Sequence, residues 1–326
     1  MNRQWIRALA CALALALWPA ALAEGERIAV ICGPLADNPG AAQVAEKAEA
    51  LRDVFGYELT LLECADGDRW SEGYARAAAQ AYDLILGVGG QAAGQAAPLA
   101  EAHRERTAFA VIDADADSEY VASYSYPEEQ SACLIGVMAA AAFPEDALFG
   151  CLCGDGDATA ERIRLGFEAG VRRLLPGAEV RFALAASDDA ARDRAVALRA
   201  EGCEFIFCGP GAGEAGLADA ARALAQRGTP LYFAGQGAGA DSPWRLTGQL
   251  KNTGVAAAIA IDNFYAGTLE PGLTVLDLAS GAIGAHYITD SAEGRNAAVL
   301  TDAVLDACRE AADAIIDGAL TPIPPR

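Results

Sequence analysis

The chain has 326 residues, a formal charge of −21, and 53% hydrophobic against 21% charged residues. That balance excludes a disordered chain. The acidity excludes nucleic acid and anionic lipid as partners, since both need basic surface.

Arg3 and Arg7 precede an apolar run from Ala8 to Leu17, and Ala21-Leu22-Ala23 stands before Glu24. This is the pattern of a secretory leader over residues 1–23. Export is therefore expected, to the periplasm or the outer face of the cytoplasmic membrane. The apolar run falls short of the ~20 residues that span a bilayer. Lipid attachment at Cys11 is not expected, because the apolar run would then follow the cut. Removing the leader makes the charge −23 and leaves eight of nine cysteines, with length for two ordinary domains.

Strands are predicted at Ile28–Cys32, Glu58–Leu62, Leu84–Val88 and Ala108–Ile112, separated by helices near Ala41–Val54, Ser71–Ala81 and Gln91–Arg104. A helix over Glu128–Ala142 leads into a second series. Its strands are Leu148–Cys153, Glu179–Leu184, Phe205–Cys208 and Leu231–Ala234. Its helices are Ala158–Leu175, Ala190–Glu201 and Gly213–Gln226. Alternating βα units predict parallel sheets with right-handed crossovers, hence an α/β fold of two Rossmann-like lobes. Leu246–Leu250 and Leu273–Leu278 are read as crossings between the lobes. Asn296–Ile316 is the last long helix, and a Pro-rich tail follows from Thr321.

The run Tyr82-Asp83-Leu84-Ile85-Leu86-Gly87-Val88-Gly89-Gly90 reads as a buried parallel strand ending in glycines. Ligands of open α/β sheets bind at that edge, which makes Gly89 and Gly90 candidates. Asp113 ends the next strand at the same edge, while Asp115 and Asp117 read as solvated loop charges. An EF-type calcium loop is excluded, because Ser118 and Tyr124 stand where it needs Gly and an acid. Gly209-Pro210-Gly211-Ala212-Gly213 opens a helix and reads as a ligand-facing or tight turn. The spacing Gly211-x-Gly213-x-x-Gly216 satisfies a dinucleotide fingerprint, but lacks its acidic partner. With two histidines, His103 and His286, and no CxxC, no metal site is expected, and no cofactor. Cys32 and Cys64 end consecutive strands and form the best candidate disulfide. Cys32 and Cys208 end one strand in each lobe, the layout of a two-thiol cleft enzyme. Lys251 follows an apolar strand and is placed to reach between the lobes.

Several stretches taken in order resemble one family. They are Tyr82–Gly89, Phe109-Ala110-Val111-Ile112-Asp113, Val121-Ala122-Ser123-Tyr124-Ser125-Tyr126, Leu134-Ile135-Gly136-Val137-Met138-Ala139-Ala140, Gly166-Phe167-Glu168-Ala169-Gly170 and Leu246-Thr247-x-x-Leu250-Lys251-Asn252. From about Ile28 to Ile288 the chain resembles the basic membrane protein family, the nucleoside-binding components of ABC importers. The resemblance implies a type I periplasmic binding protein fold, two lobes joined by three crossings. Residues 24–122 and 247–276 would form the N-terminal lobe, and 123–246 and 277–326 the C-terminal lobe. It also implies hinge closure on a small-molecule ligand, a membrane permease as partner, and no catalytic residues. Asp113, Lys251, Gly211 and Gly213 match family site positions.

Three positions depart from the family. Ala41-Ala42-Gln43 stands where the family has Ser-Phe-Asn, Gly90 where it has Phe, and Gln236 where an Asp grips the ribose. Ala42, Gln43 and Gln236 are therefore expected to line an altered pocket. Base stacking contributes ~1–3 kcal/mol, and Trp70, Trp244, Tyr124 and Tyr232 are the candidate replacements. The expected function is an exported solute-binding protein for a small polar, nucleoside-like ligand. The alternatives are a sensory protein on the same scaffold and the two-thiol enzyme.

Overall fold

The computed structural model describes residues 25–145, 148–237, 239 and 242–323; the expected leader and the last three residues of the tail lie outside them. In the first half, strands β1 (Arg27–Cys32), β2 (Glu58–Glu63), β3 (Leu84–Val88), β4 (Ala108–Ile112) and β5 (Val121–Ser125) alternate with helices. These are α1 (Pro39–Phe55), α2 (Gly67–Ala79) and α3 (Gly90–His103). Helix α4 (Glu128–Ala142) opens the second half, with β6 (Leu148–Cys153), α5 (Ala158–Leu174), β7 (Glu179–Leu184) and α6 (Asp188–Ala200). Then follow β8 (Phe205–Cys208), α7 (Glu214–Gln226), β9 (Tyr232–Gln236) and β10 (Arg245–Lys251). The chain ends with α8 (Thr253–Ala266), β11 (Gly272–Val275), β12 (Ile283–Ala285) and α9 (Asp302–Ile316).

Two six-stranded sheets result, in the orders β11-β5-β4-β3-β1-β2 and β12-β10-β9-β8-β6-β7. All pairs are parallel except β10 with β12. This is the expected α/β architecture of two similar lobes. In each, the first strand lies between the second and third, so the crossovers diverge there and leave a crevice at the carboxyl ends.

The predicted strands are found to within two or three residues, and the differences lie elsewhere. Val121–Ser125 and Ile283–Ala285 are short strands that periodicity does not mark. Thr253–Ala266 is apolar along most of its length, so it lacks the one-sided stripe that identifies a surface helix. Leu246–Leu250 and Leu273–Leu278 are not crossings: they lie within or overlap β10 in the second sheet and β11 in the first. The crossings lie beside them, between Ser125 and Glu128, Lys251 and Thr253, and Val275 and Ile283. The boundaries at 122/123 and 246/247 thus fall inside β5 and β10, because each strand completes its ladder before the chain leaves its sheet. The last helix begins at Asp302, where Thr301 caps it through Val304 N–H, rather than at Asn296.

The three crossings are bonded to one another. Leu276 N–H donates to Ser125 O at 2.8 Å, Asn252 N–H to Ala282 O at 2.8 Å, and Tyr126 Oη to Asn252 O at 3.4 Å. One apolar cluster runs through both lobes past this junction, and a separate cluster covers the opposite face of each sheet. Helix α4 is buried on nearly every side. It meets α5 through glycines: a Cβ on Gly170 would stand 2.9 Å from Val137 N, and one on Gly166 2.9 Å from Glu129 C. The Gly166–Gly170 motif is thus a close helix–helix contact that fixes α4. Among the described residues no helix is long and apolar enough to cross a membrane.

Candidate functional site

The carboxyl ends of β4 and β10 bring residues of both lobes together. Asp113 follows β4 with φ of 66°, a left-handed conformation that Asp tolerates better than most residues. Its N–H donates to Tyr124 O at 2.8 Å, which fixes the turn. Lys251 ends β10, and its Nζ donates to Asp113 Oδ1 at 3.0 Å and Oδ2 at 2.9 Å. The third proton goes to Glu128 Oε1 at 2.9 Å. Glu128 is the first residue of α4, where the helix dipole favours a carboxylate. Burial acts against the charge on Lys251, but Glu128 and Asp113 outweigh it and push the ammonium above its ordinary value. Burial likewise raises Glu128, opposed by Lys251. The Tyr126 ring centroid lies 6.0 Å from Lys251 Nζ.

A row of amides backs this cluster. Gln249 precedes Lys251 by two residues and so shares its face of β10. Its Nε2 donates to Glu128 O at 3.1 Å and Oε2 at 3.4 Å. Gln236 pairs with Gln249 in register, and its Nε2 donates to Gln249 Oε1 and Cys208 O, both at 3.2 Å. Glu214, at the start of α7, accepts Gln236 N–H at 2.9 Å and Arg245 Nε at 2.7 Å. A pocket of about 110 Å³ opens beside the cluster, lined from the first lobe by Asp113 and Ala114 and from the second by Glu128, Glu129, Thr159 and Arg162.

The crevices of the two lobes differ. Gly89 has φ of 89° and a Cβ on Gly89 or Gly90 would meet nothing within 4 Å. Among the described residues nothing fills the space at the N-terminus of α3, and no side chain caps it. In the second lobe the β6 and β8 loops fill their own crevice, with Gly154 N–H donating to Pro210 O at 2.9 Å. Gly213 is buried, and a Cβ there would stand 2.5 Å from Asp188 N. Gly216 likewise packs on Asp188. The glycines of the fingerprint spacing thus let α7 approach α6. Gly213 is thus packed against α6, whereas Gly211 is exposed on the adjoining turn.

Gln43 is engaged within the protein. Its Oε1 accepts Thr253 N–H at 3.0 Å and faces Thr253 Oγ1 at 3.3 Å, so it ties α1 to the start of α8. Ala42 lies beside it in the first turn of α1, half-buried. Three of the candidate aromatic replacements are packed within their lobes. Trp70 is buried against Tyr74, Tyr124 is buried, and Tyr232 packs on Phe143. Trp244 lines a depression beside α7 with Arg222 and Phe233. Glu128 and Gln249 are the residues that sequence reasoning missed. The available signal was an acid at the start of a helix that is otherwise apolar.

The thiols do not form a reactive pair. All eight described cysteines are free and buried. Cys32 packs with Ile28 and Val30, but Cys64 with Ala29 and Ile31. They lie on opposite faces of the first sheet, and this candidate pair is not bonded. Burial, then Glu63, pushes the Cys32 thiol up to about 12, and burial, then Glu214, pushes Cys208 up as well. Protonated, enclosed thiols are poor nucleophiles and bases, which removes the physical basis of the two-thiol enzyme.

Known proteins agree with this architecture. The profile of a family described as ABC transporter substrate-binding protein PnrA-like matches residues 26–310. A solute-binding protein of an ABC transporter system from Aeropyrum pernix K1 is 20% identical, with a TM-score of 0.73 over 92% of this chain and 94% of that one. Another from Conexibacter woesei is 19% identical, with a TM-score of 0.72 over 92% and 99%. A transcriptional activator of the comK gene from Bacillus halodurans is 17% identical, with a TM-score of 0.71 over 91% and 100%. At these identities the likeness concerns the fold. Comparison with curated protein sequences gave no match. With 26–310 covered by one profile, the chain belongs to the family of PnrA-like substrate-binding proteins of ABC transporters.

Proposed function

We propose that this chain is the exported solute-binding component of an ABC importer, and that it closes on a small polar solute between its lobes for delivery to a membrane permease. The observation that carries the reading is the contact of Lys251 on the second sheet with Asp113 on the first. It lies beside the open N-terminus of α3 and next to two of the three crossings. Asp113, Gln236 and Lys251 offer hydrogen bonds and charge, and Gly89 and Gly90 offer room.

Family membership favours a nucleoside. The groups at the cluster favour recognition by hydrogen bonding over stacking. Losing ~1–3 kcal/mol of base stacking weakens a nucleoside roughly five- to 150-fold. A thermal-shift and calorimetric panel of nucleosides, free bases, pentoses, hexoses and amino acids tests the reading. A solute at a hundred times its Kd stabilises by about 2.7 kcal/mol, a rise of roughly 5 °C or more for a chain of this size. The reading fails if no class raises the melting temperature.

A further inference from the structure

The chain carries only two lysines, Lys47 and Lys251, among 24 basic residues. One of the two stands at the lobe junction, where its compact ammonium gives its three protons to three carboxylate oxygens. Those oxygens belong to different lobes. Glu128 sits on the same lobe as Lys251, whereas Asp113 comes from the other.

A carboxylate accepts hydrogen bonds and cannot donate them. Glu128 therefore fixes the polarity of the row behind it. Gln249 must turn its NH₂ toward Glu128, which leaves its oxygen for the NH₂ of Gln236. The NH₂ of Gln236 is then engaged inward, with Gln249 and Cys208, and none of the described residues bonds its oxygen. Two carboxylates and one ammonium leave the cluster one net negative charge, and the neighbouring Glu129 is already paired with Arg162.

We propose that Glu128 is a positioning residue for solute capture: it anchors Lys251 to the second lobe and sets the amide polarity that presents the Gln236 oxygen. The solute class that fits is neutral or singly cationic and rich in O–H or N–H donors, and anions are disfavoured. This rests on the solute binding between the lobes.

The test uses lysine-selective ¹⁵N labelling of the solute-free protein near neutral pH, where a held ammonium exchanges slowly and gives a sharp Nζ–H signal. Lys47 serves as the internal solvated reference, and Lys251→Arg assigns the signal. With Glu128 as anchor, Asp113→Asn keeps the Lys251 signal sharp and Glu128→Gln broadens it. A signal that survives Glu128→Gln and vanishes in Asp113→Asn overturns the proposal. If Glu128→Gln does not fold, loss of the signal in Asp113→Asn overturns it alone, and its persistence supports it. In a second arm, the nucleosides and sugars of the panel are titrated into wild type and Glu128→Gln. A roughly tenfold rise in Kd for the bound solute is expected, and an unchanged Kd overturns the role in capture. The ammonium signal is read without solute, so a panel that binds nothing refutes the function and leaves the anchor result standing.

Discussion

Gly170→Ala separates close packing from helix propensity by the sign of its effect. Alanine is favoured over glycine inside a helix by about 1 kcal/mol, so propensity predicts stabilisation. In α5, however, the new Cβ would stand 2.9 Å from both Val137 N and the Cys133 carbonyl carbon, where ordinary contacts begin near 3.4 Å. The obstacle is backbone of α4, which has no rotamer to change. Overpacking costs about 1–3 kcal/mol, and a rigid neighbour places this case in the upper part. The net expectation is a loss of about 1–2 kcal/mol, or roughly 2–8 °C in Tm. Gly94→Ala is the control. Gly94 lies inside α3, where a Cβ meets nothing within 4 Å, so the same change should raise stability by up to about 1 kcal/mol. Scanning calorimetry of both variants beside wild type reads the difference and resolves the lobes if they melt apart. A Gly170→Ala protein that melts with or above Gly94→Ala would refute the packing argument. It would also weaken the view that α5 fixes α4, and with it Glu128.

Gly87→Ala should destabilise strongly, because its Cβ would run into the hydroxyl of Tyr74, a buried group without a hydrogen-bond partner among the described residues. Tyr74→Phe should be neutral or stabilising and should partly rescue Gly87→Ala. A double-mutant cycle with coupling below about 0.5 kcal/mol would contradict this. Gln43→Ala should cost about 1–2 kcal/mol by leaving Thr253 N–H without its acceptor, with solute affinity unchanged; weaker binding at unchanged Tm would restore Gln43 to the pocket. Alkaline pH should unfold the protein early. Burial raises Cys32, Cys133, Cys308 and Tyr57 to about 12. Their contribution is full below the ordinary thiol value near 9 and is lost as pH rises from there toward 12. Urea midpoints flat from pH 8 to 11 would argue against buried, protonated thiols.

Much of the fold was legible because buried parallel strands are short apolar runs and their crossover helices are amphipathic. β4, β6, β7 and β8 are bounded by such contrasts at both ends. The missed α8 shows the limit of that signal. Its apolar faces meet α1 and the core, so its sequence carries no one-sided stripe. Fine detail at the site was less legible, since spacing gives a residue's place along the chain and not its partner. Gln43 and Gly213 stood at ligand-like positions, yet one closes onto Thr253 and the other onto Asp188.

Local order thus determined the two lobes, the glycine-ended edge at Gly89 and Gly90, and the placing of Asp113 and Lys251 at strand ends. These follow from hydrophobic periodicity, which each segment carries by itself. The tertiary structure decided which side chains meet. Lys251 and Asp113 lie 138 positions apart and Lys251 and Glu128 123 apart, so only the return of the chain between lobes joins them. The sidedness of the first sheet likewise parts Cys32 from Cys64. Charge pairing and the faces of a sheet are properties of the assembled fold, because they depend on what the rest of the chain brings alongside.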